Sequence, residues 1–454
     1  MVARTTSIQF ACRCPLSRFI EQPRTLCALG AQQTVAAIER TVPIVHAGPG
    51  CGFKLHLGLG FYNGFQGGGC FGGASIVSSN LVERDVVFGG EERLQSVIEN
   101  ALKVMDGDLY VVLTGCTSEL IGDDVAAVVA TFRRSGVPIV HAATGGLRGS
   151  NCLGHELVAH AIIDDLLTPQ PERIPGLVNV WSSVPYQDTL WSGNLGVLRE
   201  LLAGIGLQAN VLFGPNSGGL SAWRQIPAAQ FNLVVSPWIG VSVARKLEER
   251  YGTPWLHYPA LPIGGVETSR FLRAVAEFAG VESAITEQHI RQREAEYYYY
   301  VERLADFVME FRWDLPSRFT TIADSLYAIG LTRFLTNDIG LMPSFQFVTD
   351  TPPEEFRAEI TRSFQEIAPG ISAQVEFTGD GGTIHQALRK QEGPPPILLG
   401  TSWDRDIARE LGACHLSVGA PMTDRLVCSC AYAGYHGGLR LLEDLYSSIL
   451  ASVQ

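Results

Sequence analysis

The chain has 454 residues, is 46% hydrophobic and 18% charged, and carries a formal net charge of −12. An acidic chain without a Lys/Arg run is a poor ligand for nucleic acid, and no apolar stretch approaches the roughly 20 residues of a membrane span. The N-terminal segment through Pro15 lacks an apolar core of signal-peptide length, so a cytoplasmic protein of about three domains, at ~150 residues each, is expected.

In chain order, β-rich runs at Val42 to His46, Leu109 to Leu113 and Pro138 to His141 surround a helical stretch at Glu92 to Val104. The proline-rich segment from Thr168 to Pro175 reads as a link to a second unit. There, strands at Gly176 to Trp181, Gln208 to Phe213, Phe231 to Val235 and Trp255 to Tyr258 alternate with helices at Leu195 to Gly204, Val241 to Tyr251 and Ser269 to Phe278. A long polar run from Ile285 to Phe311 predicts a connecting helix whose tyrosines, Tyr297 to Tyr300, pack against neighbouring domains. Strands at Thr320 to Ala323, Ser344 to Thr349, Ala373 to Phe377, Ile397 to Gly400 and His415 to Ser417 come next, with a helix at Pro353 to Glu366. The breaks divide the chain into 1–170, 171–284 and 285–454. Alternating β and α elements predict an α/β protein with parallel sheets covered by helices and sites at the carboxyl ends of strands.

Ten cysteines in this length are too sparse for a disulfide scaffold and, in a reducing compartment, are thiols or ligands. Cys51 and Cys116 each follow an apolar run that breaks into glycine-rich or polar chain, where a rigid backbone can present a thiolate to metal. Glycines on both sides of Cys51 let backbone amides turn toward a ligand, and the polar cluster after Cys116 suits a helix N-terminus. Cys27, with neither strand nor turn evident around it, fits a core cysteine as well as a ligand. The glycine-dense stretch from Gly58 to Gly73, with Cys70 inside it, reads as a loop with little regular structure. Cys12 and Cys14 fit a mobile or capping segment better than a metal site. Cys428, Cys430 and His436 lack a second group at zinc-site spacing and read as packing residues. The doublet Asp123-Asp124 reads as a solvent-facing helix cap. Residues 144–149 match neither a P-loop nor a dinucleotide fingerprint, so no nucleotide is expected on this chain.

Three blocks, Val45-His-Ala-Gly-Pro-Gly-Cys51, Asp85-Val-Val-Phe-Gly-Gly90 and Gly115-Cys-Thr-Ser-Glu-Leu-Ile-Gly-Asp-Asp124, resemble the signature segments of nitrogenase component 1 subunits in content, order and spacing. Weaker likeness continues through residues 262–269, 418–425 and 434–438, so it spans most of the chain. The resemblance implies three Rossmann-like domains. Family α-type subunits hold the active-site cofactor with a cysteine and a histidine. Here the segment Asn232 to Gly240 has no cysteine, and Ala433 stands at the histidine position, three residues before His436. The chain therefore resembles the β-type partner, with no catalytic residues of its own.

Carried over on that resemblance, the ligands fall on Cys27, Cys51 and Cys116, and Gly50, Gly52 and Gly115, with Gly48, line and tune the cluster. The implied cofactor is an iron–sulfur cluster, P-cluster-like [8Fe-7S] or [4Fe-4S], shared with an α-type subunit in an α2β2 heterotetramer. An ATP-dependent iron protein is the implied electron donor, and no membrane or nucleic acid takes part. Molybdenum-type β subunits carry a serine that binds the oxidised cluster. This chain has glycine at about that place, with Thr144 or Ser150 as substitutes, lacks their long N-terminal extension, and has an unlike loop around Cys70. These departures point to a nitrogenase-like reductase, first among them methylthio-alkane reductase. An iron-only or vanadium nitrogenase β subunit, a cofactor-assembly scaffold, and a three-thiolate zinc or structural site are the other readings.

Overall fold

A computed structural model describes residues 20–66, 76–311, 315–393 and 396–453. Cys12, Cys14 and Cys70 lie outside them. Among the described residues three sheets succeed one another along the chain, and every pairing between their strands is parallel.

The first sheet contains β1 (Thr41–His46), β2 (Val77–Ser78), β3 (Leu109–Thr114) and β4 (Ile139–Ala142) in the order β2-β1-β3-β4. All six residues of β3 are buried, as expected for a strand covered by helices on both faces. Val111, Val112 and Leu113 have no exposed surface, and each contributes about 1.5–3 kcal/mol by burial. That rigid strand holds the residues beyond its carboxyl end at a fixed place. The helices of this unit are α1 (Ala31–Ala37), α2 (Pro49–Gly60), α3 (Glu83–Phe88), α4 (Glu91–Val104), α5 (Cys116–Ile121), α6 (Val125–Arg134) and α7 (Asn151–Leu166).

The second sheet holds β5 (Ile174–Trp181), β6 (Gln208–Val211), β7 (Ala229–Val235) and β8 (Trp255–Tyr258), ordered β6-β5-β7-β8. The third holds β9 (Arg318–Ala323), β10 (Met342–Pro343), β11 (Gln346–Val348), β12 (Val375–Phe377), β13 (Ile397–Gly400) and β14 (His415–Ser417). Its order is β12-β11-β9-β13-β14, with β10 added beside β9.

The glycine-dense stretch departs from the expectation of a loop at its start, because α2 runs through Gly58 to Gly60. A side chain at Gly58 would stand 2.8 Å from Gln33 Nε2 and 3.7 Å from Leu26 Cδ1. Close packing of α2 on the segment before α1 therefore overrides the low helix propensity of glycine. The tyrosine run also divides. Tyr297 is 1% exposed and its hydroxyl donates to Asp338 Oδ1 at 3.0 Å, whereas Tyr298, Tyr299 and Tyr300 face outward from the helix Ser283–Phe311. A helix turns 100° per residue, so four consecutive positions cannot share one buried face.

No described helix is long and apolar enough to cross a membrane. His155 on α7 is buried, with Nδ1 3.0 Å from Thr34 Oγ1, and burial lowers its pKa from 6.5 to about 4. The folded state thus favours the neutral ring, so this stability is complete above pH 6.5 and is lost as pH falls through about 4. Its full size is on the order of 3 kcal/mol. Urea unfolding at pH 7.5, 6 and 4.5 should show stability falling mainly across the last interval; a rise there would contradict the assignment.

Candidate metal centre at the carboxyl edge of the first sheet

β1 and β3 run side by side in register, with His46 opposite Thr114, so the chain leaves both strands at the same edge. The strand order reverses direction between them, and crevices outside the carboxyl ends of strands form at such a switch. From β1 the chain passes Ala47 and Gly48 into the first turn of α2, which carries Cys51. From β3 it passes Gly115 into α5, whose first residue is Cys116. Cys51 therefore sits on a helix and not in an open glycine turn, and both thiols stand near helix N-termini, whose dipoles favour thiolate.

Cys27 arrives from elsewhere. It precedes a short 3-10 turn and forms an antiparallel bridge with Ser150, while Ala28 N donates to Gly149 O at 2.8 Å and Asn151 N to Leu26 O at 2.9 Å. This pairing is remote in sequence and leaves no local signal around Cys27.

Gly146 lies against two of the thiols and Gly115 against the third. A Cβ at Gly115 would lie 2.4 Å from Ala47 Cβ and 3.7 Å from Cys51 Sγ. A Cβ at Gly146 would lie 3.1 Å from Cys116 Sγ, 3.3 Å from Cys27 Cβ and 3.5 Å from Cys27 Sγ. Gly146 N also donates to Cys116 Sγ at 3.1 Å. Gly48 and Gly50, by contrast, face open space, and Gly52 approaches Ser78 only at 4.0 Å. All three cysteines are half-buried. Among the described residues no three His, Cys, Asp or Glu side chains converge closely enough to hold one metal ion.

Thr144 is fully buried and committed to β3: its N–H donates to Thr114 Oγ1 at 2.9 Å and its hydroxyl to Thr114 O at 3.0 Å. Ser150 is the one of the two that stands against a cysteine, through its bridge with Cys27. Gly146 owes its position to a network that no sequence motif announces. Glu119 Oε1 accepts from Thr114 Oγ1 at 2.6 Å and Gly145 N at 2.8 Å, and Arg148 Nε reaches Glu119 Oε2 at 2.9 Å. Burial alone would raise the Glu119 pKa, but these bonds outweigh it and lower it.

The aspartate doublet also divides. Asp124 caps α6 by accepting from Ala127 N at 2.9 Å. Asp123 turns inward: its side chain is 2% exposed, Oδ2 lies 2.9 Å from His46 Nε2, and Oδ1 accepts from Gly90 N at 2.8 Å. The backbone turns after α5 through left-handed Gly122, which directs the next side chain inward. His46 is fully buried, and burial lowers its pKa despite Asp123. Asp123→Ala would leave the Gly90 amide and the His46 ring without their acceptor, at about 1–3 kcal/mol for each stranded group. Thermal unfolding should show the loss, with Asp123→Asn recovering part of it.

At the outer face, Val87, Phe88, Leu120 and Leu147 are 72%, 82%, 73% and 79% exposed. They lie on α3, α5 and the Gly146 loop. Elsewhere, the side chain of Cys428 is exposed, and His436 Nε2 lies 3.6 Å from Glu296 Oε1.

Residues 27–450 match the model of the nitrogenase component 1 type oxidoreductases. The chain belongs to this family. Among nitrogenase component 1 relatives, it is 26% identical to the nitrogenase molybdenum-iron protein beta chain of Methanococcus maripaludis, over 93% of this chain and 92% of that one. It is 24% identical to the nitrogenase iron-iron protein beta chain of Rhodobacter capsulatus, over 94% and 92%. It is also 23% identical to the nitrogenase iron-molybdenum cofactor biosynthesis protein NifE of M. maripaludis, over 93% and 82%. The solved structure of nitrogenase Cp1 at pH 6.5 shares the fold with a TM-score of 0.77 at 20% identity, covering 100% of this chain and 95% of that chain. The α/β fold expected from the sequence is thus the fold of nitrogenase component 1 subunits, and the chain is a component 1 subunit of an oxidoreductase.

Proposed function

We propose that this chain is the β-type subunit of a nitrogenase-like two-component reductase and holds half of an iron–sulfur cluster through Cys27, Cys51 and Cys116. The observation that carries this reading is the convergence of Cys27 and Cys116 on Gly146, where a Cβ would meet both side chains within 3.5 Å. The donor set fits a cluster: three half-buried soft sulfur ligands, two of them packed against Gly146, suit iron–sulfur ligation. When bound, the cluster supplies one-electron relay. The chain's residues hold its geometry: Gly115 lets β3 pass close to Ala47, and Gly146 presents an amide to the Cys116 sulfur, a bond that tunes cluster potential. Gly50 and Gly52, at the start of α2, keep that side open to the cluster.

Three thiolates leave a cluster incompletely held by one chain, so an α-type subunit supplies the rest, in an α2β2 heterotetramer. The exposed apolar side chains Val87, Phe88, Leu120 and Leu147 suit a protein contact beside the site, and an ATP-dependent iron protein is the electron donor in this reading. The units 1–170, 171–284 and 285–454 form three domains around the three sheets, the first of them cluster-binding. The substrate we assign is a small thioether, cleaved to methanethiol and hydrocarbon as in methylthio-alkane reductase. Glycine in place of a serine beside the thiols supports a departure from the molybdenum type.

Likeness to a cofactor biosynthesis protein sustains a second reading, a scaffold without turnover. Purification with the α-type partner, measurement of iron, sulfide and heterometal, and parallel assays of thioether and dinitrogen reduction separate these. Hydrocarbon release well above ammonia formation is expected. Comparable ammonia would overturn the substrate assignment, and a metal-loaded complex inert toward both would favour the scaffold.

A further inference from the structure

Three residues before Cys27, Arg24 is 3% exposed and its side chain has no exposed surface. Its guanidinium forms a fork on Asp404, Nη2 to Oδ1 at 2.7 Å and Nη1 to Oδ2 at 3.0 Å. Asp404 is equally buried and is held in turn by Thr401 N at 2.8 Å, Thr401 Oγ1 at 2.9 Å and His385 Nε2 at 3.0 Å. These partners all belong to the third sheet's unit, just after β13 or between β12 and β13. The backbone beside Arg24 is stitched to the same unit, with Arg24 N donating to Gly379 O at 3.1 Å and Glu21 N to Asp380 Oδ1 at 2.9 Å.

The second unit also grips this segment. Gln187, in the loop after β5, donates Nε2 to Arg24 O at 3.1 Å and accepts from Asn151 Nδ2 at 2.8 Å. Asn151 N in turn holds Leu26 O. Residues 21–27 therefore form a strap tied to all three units, and Cys27 lies at its end. A buried bidentate Arg–carboxylate pair has one geometry, unlike a lysine point charge.

We infer that Arg24, locked to Asp404, is a positioning residue that fixes Cys27 against Gly146 and makes its place depend on the third unit. The inference rests on the ligand role proposed for Cys27, and its test reads the thiol itself. The full chain with its partner is stripped of metal by a chelator and treated with iodoacetamide, and alkylation of each cysteine is monitored by mass spectrometry. In Arg24→Met, Cys27 should react about tenfold faster while Cys116 stays within about twofold, because local release of a strap exposes only the groups it holds. Arg24→Lys should restore part of the protection.

An unchanged Cys27 rate in folded Arg24→Met overturns the inference, as does an equal rise at Cys27 and Cys116, which marks general loosening. If Arg24→Met fails to fold, Arg24→Lys decides: a Cys27 rate equal to the parent's overturns it. Iron is measured beforehand in the untreated complexes. A parent complex without iron defeats the cluster reading and leaves the alkylation comparison intact, whereas iron lost from Arg24→Lys alone supports the strap.

Discussion

Replacing Cys116 by alanine is expected to remove cluster iron and electron-dependent turnover together. The substitution takes away a proposed soft ligand at the start of α5 and the acceptor of the Gly146 amide, now left 3.1 Å from a missing sulfur. Neither loss should unfold the chain. β3 is buried through its own side chains, and Ser118 still anchors the turn by donating to His46 O at 2.7 Å and Gly115 O at 3.0 Å. Cys51→Ala should behave alike on its proposed ligand role; its sulfur lies 3.7 Å from where a Cβ at Gly115 would stand. The measurement is iron and sulfide per complex beside circular dichroism and turnover. Full iron content in either variant would sink the ligand assignment.

Gly146→Val should come close in effect by the opposite route, filling space instead of removing a ligand. Its Cβ alone would meet Cys116 Sγ at 3.1 Å and Cys27 Cβ at 3.3 Å, and two further methyl carbons would press on both thiols or turn toward the surface. The neighbouring loop cannot retreat easily, because Gly145 N is fastened to Glu119 and Thr144 to β3. Iron should fall to a small fraction of the parent's with the fold retained. Gly146→Ser is the informative contrast, because its smaller side chain puts a hydroxyl beside two thiols. It should keep iron and alter the spectrum of the oxidised state; an iron content and spectrum matching the parent's in both variants would show that the metal does not sit beside Gly146.

Much of the fold is legible in the sequence because its signals are local. The strands Trp255–Tyr258, Ile397–Gly400 and His415–Ser417 and the helix Val241–Tyr251 have the bounds that hydrophobic runs and periodicity predict. The two-residue strands β2 and β10 are invisible there, since so short a run has no period and exists only because a longer neighbour pairs with it. At the site, Cys51 and Cys116 announce themselves as strand exits. Cys27 does not, because its position comes from an antiparallel bridge to Ser150 and from Arg24, neither of which has a local pattern. Asp123 misleads for the same reason: a doublet before a helix looks like a cap from sequence, and only one of two adjacent side chains can point outward. Gly146 has no motif of its own, only a glycine about where molybdenum-type relatives would carry a serine; its close approach to Cys27 and Cys116 becomes visible only in the folded chain.

The strap at Arg24 has a bearing on how the protein matures. Its two anchoring side chains, Arg24 and Asp404, stand near opposite ends of the chain, so the ion pair closes only after the ribosome has delivered the third unit. A nascent chain holding residues 20–152 could fold its first sheet and pair Cys27 with Ser150, yet still lack the ties of Arg24 and Glu21 to the third unit. On the ligand role proposed for Cys27, the strap would be complete only after the third unit is made, so a truncated or stalled product would lack it.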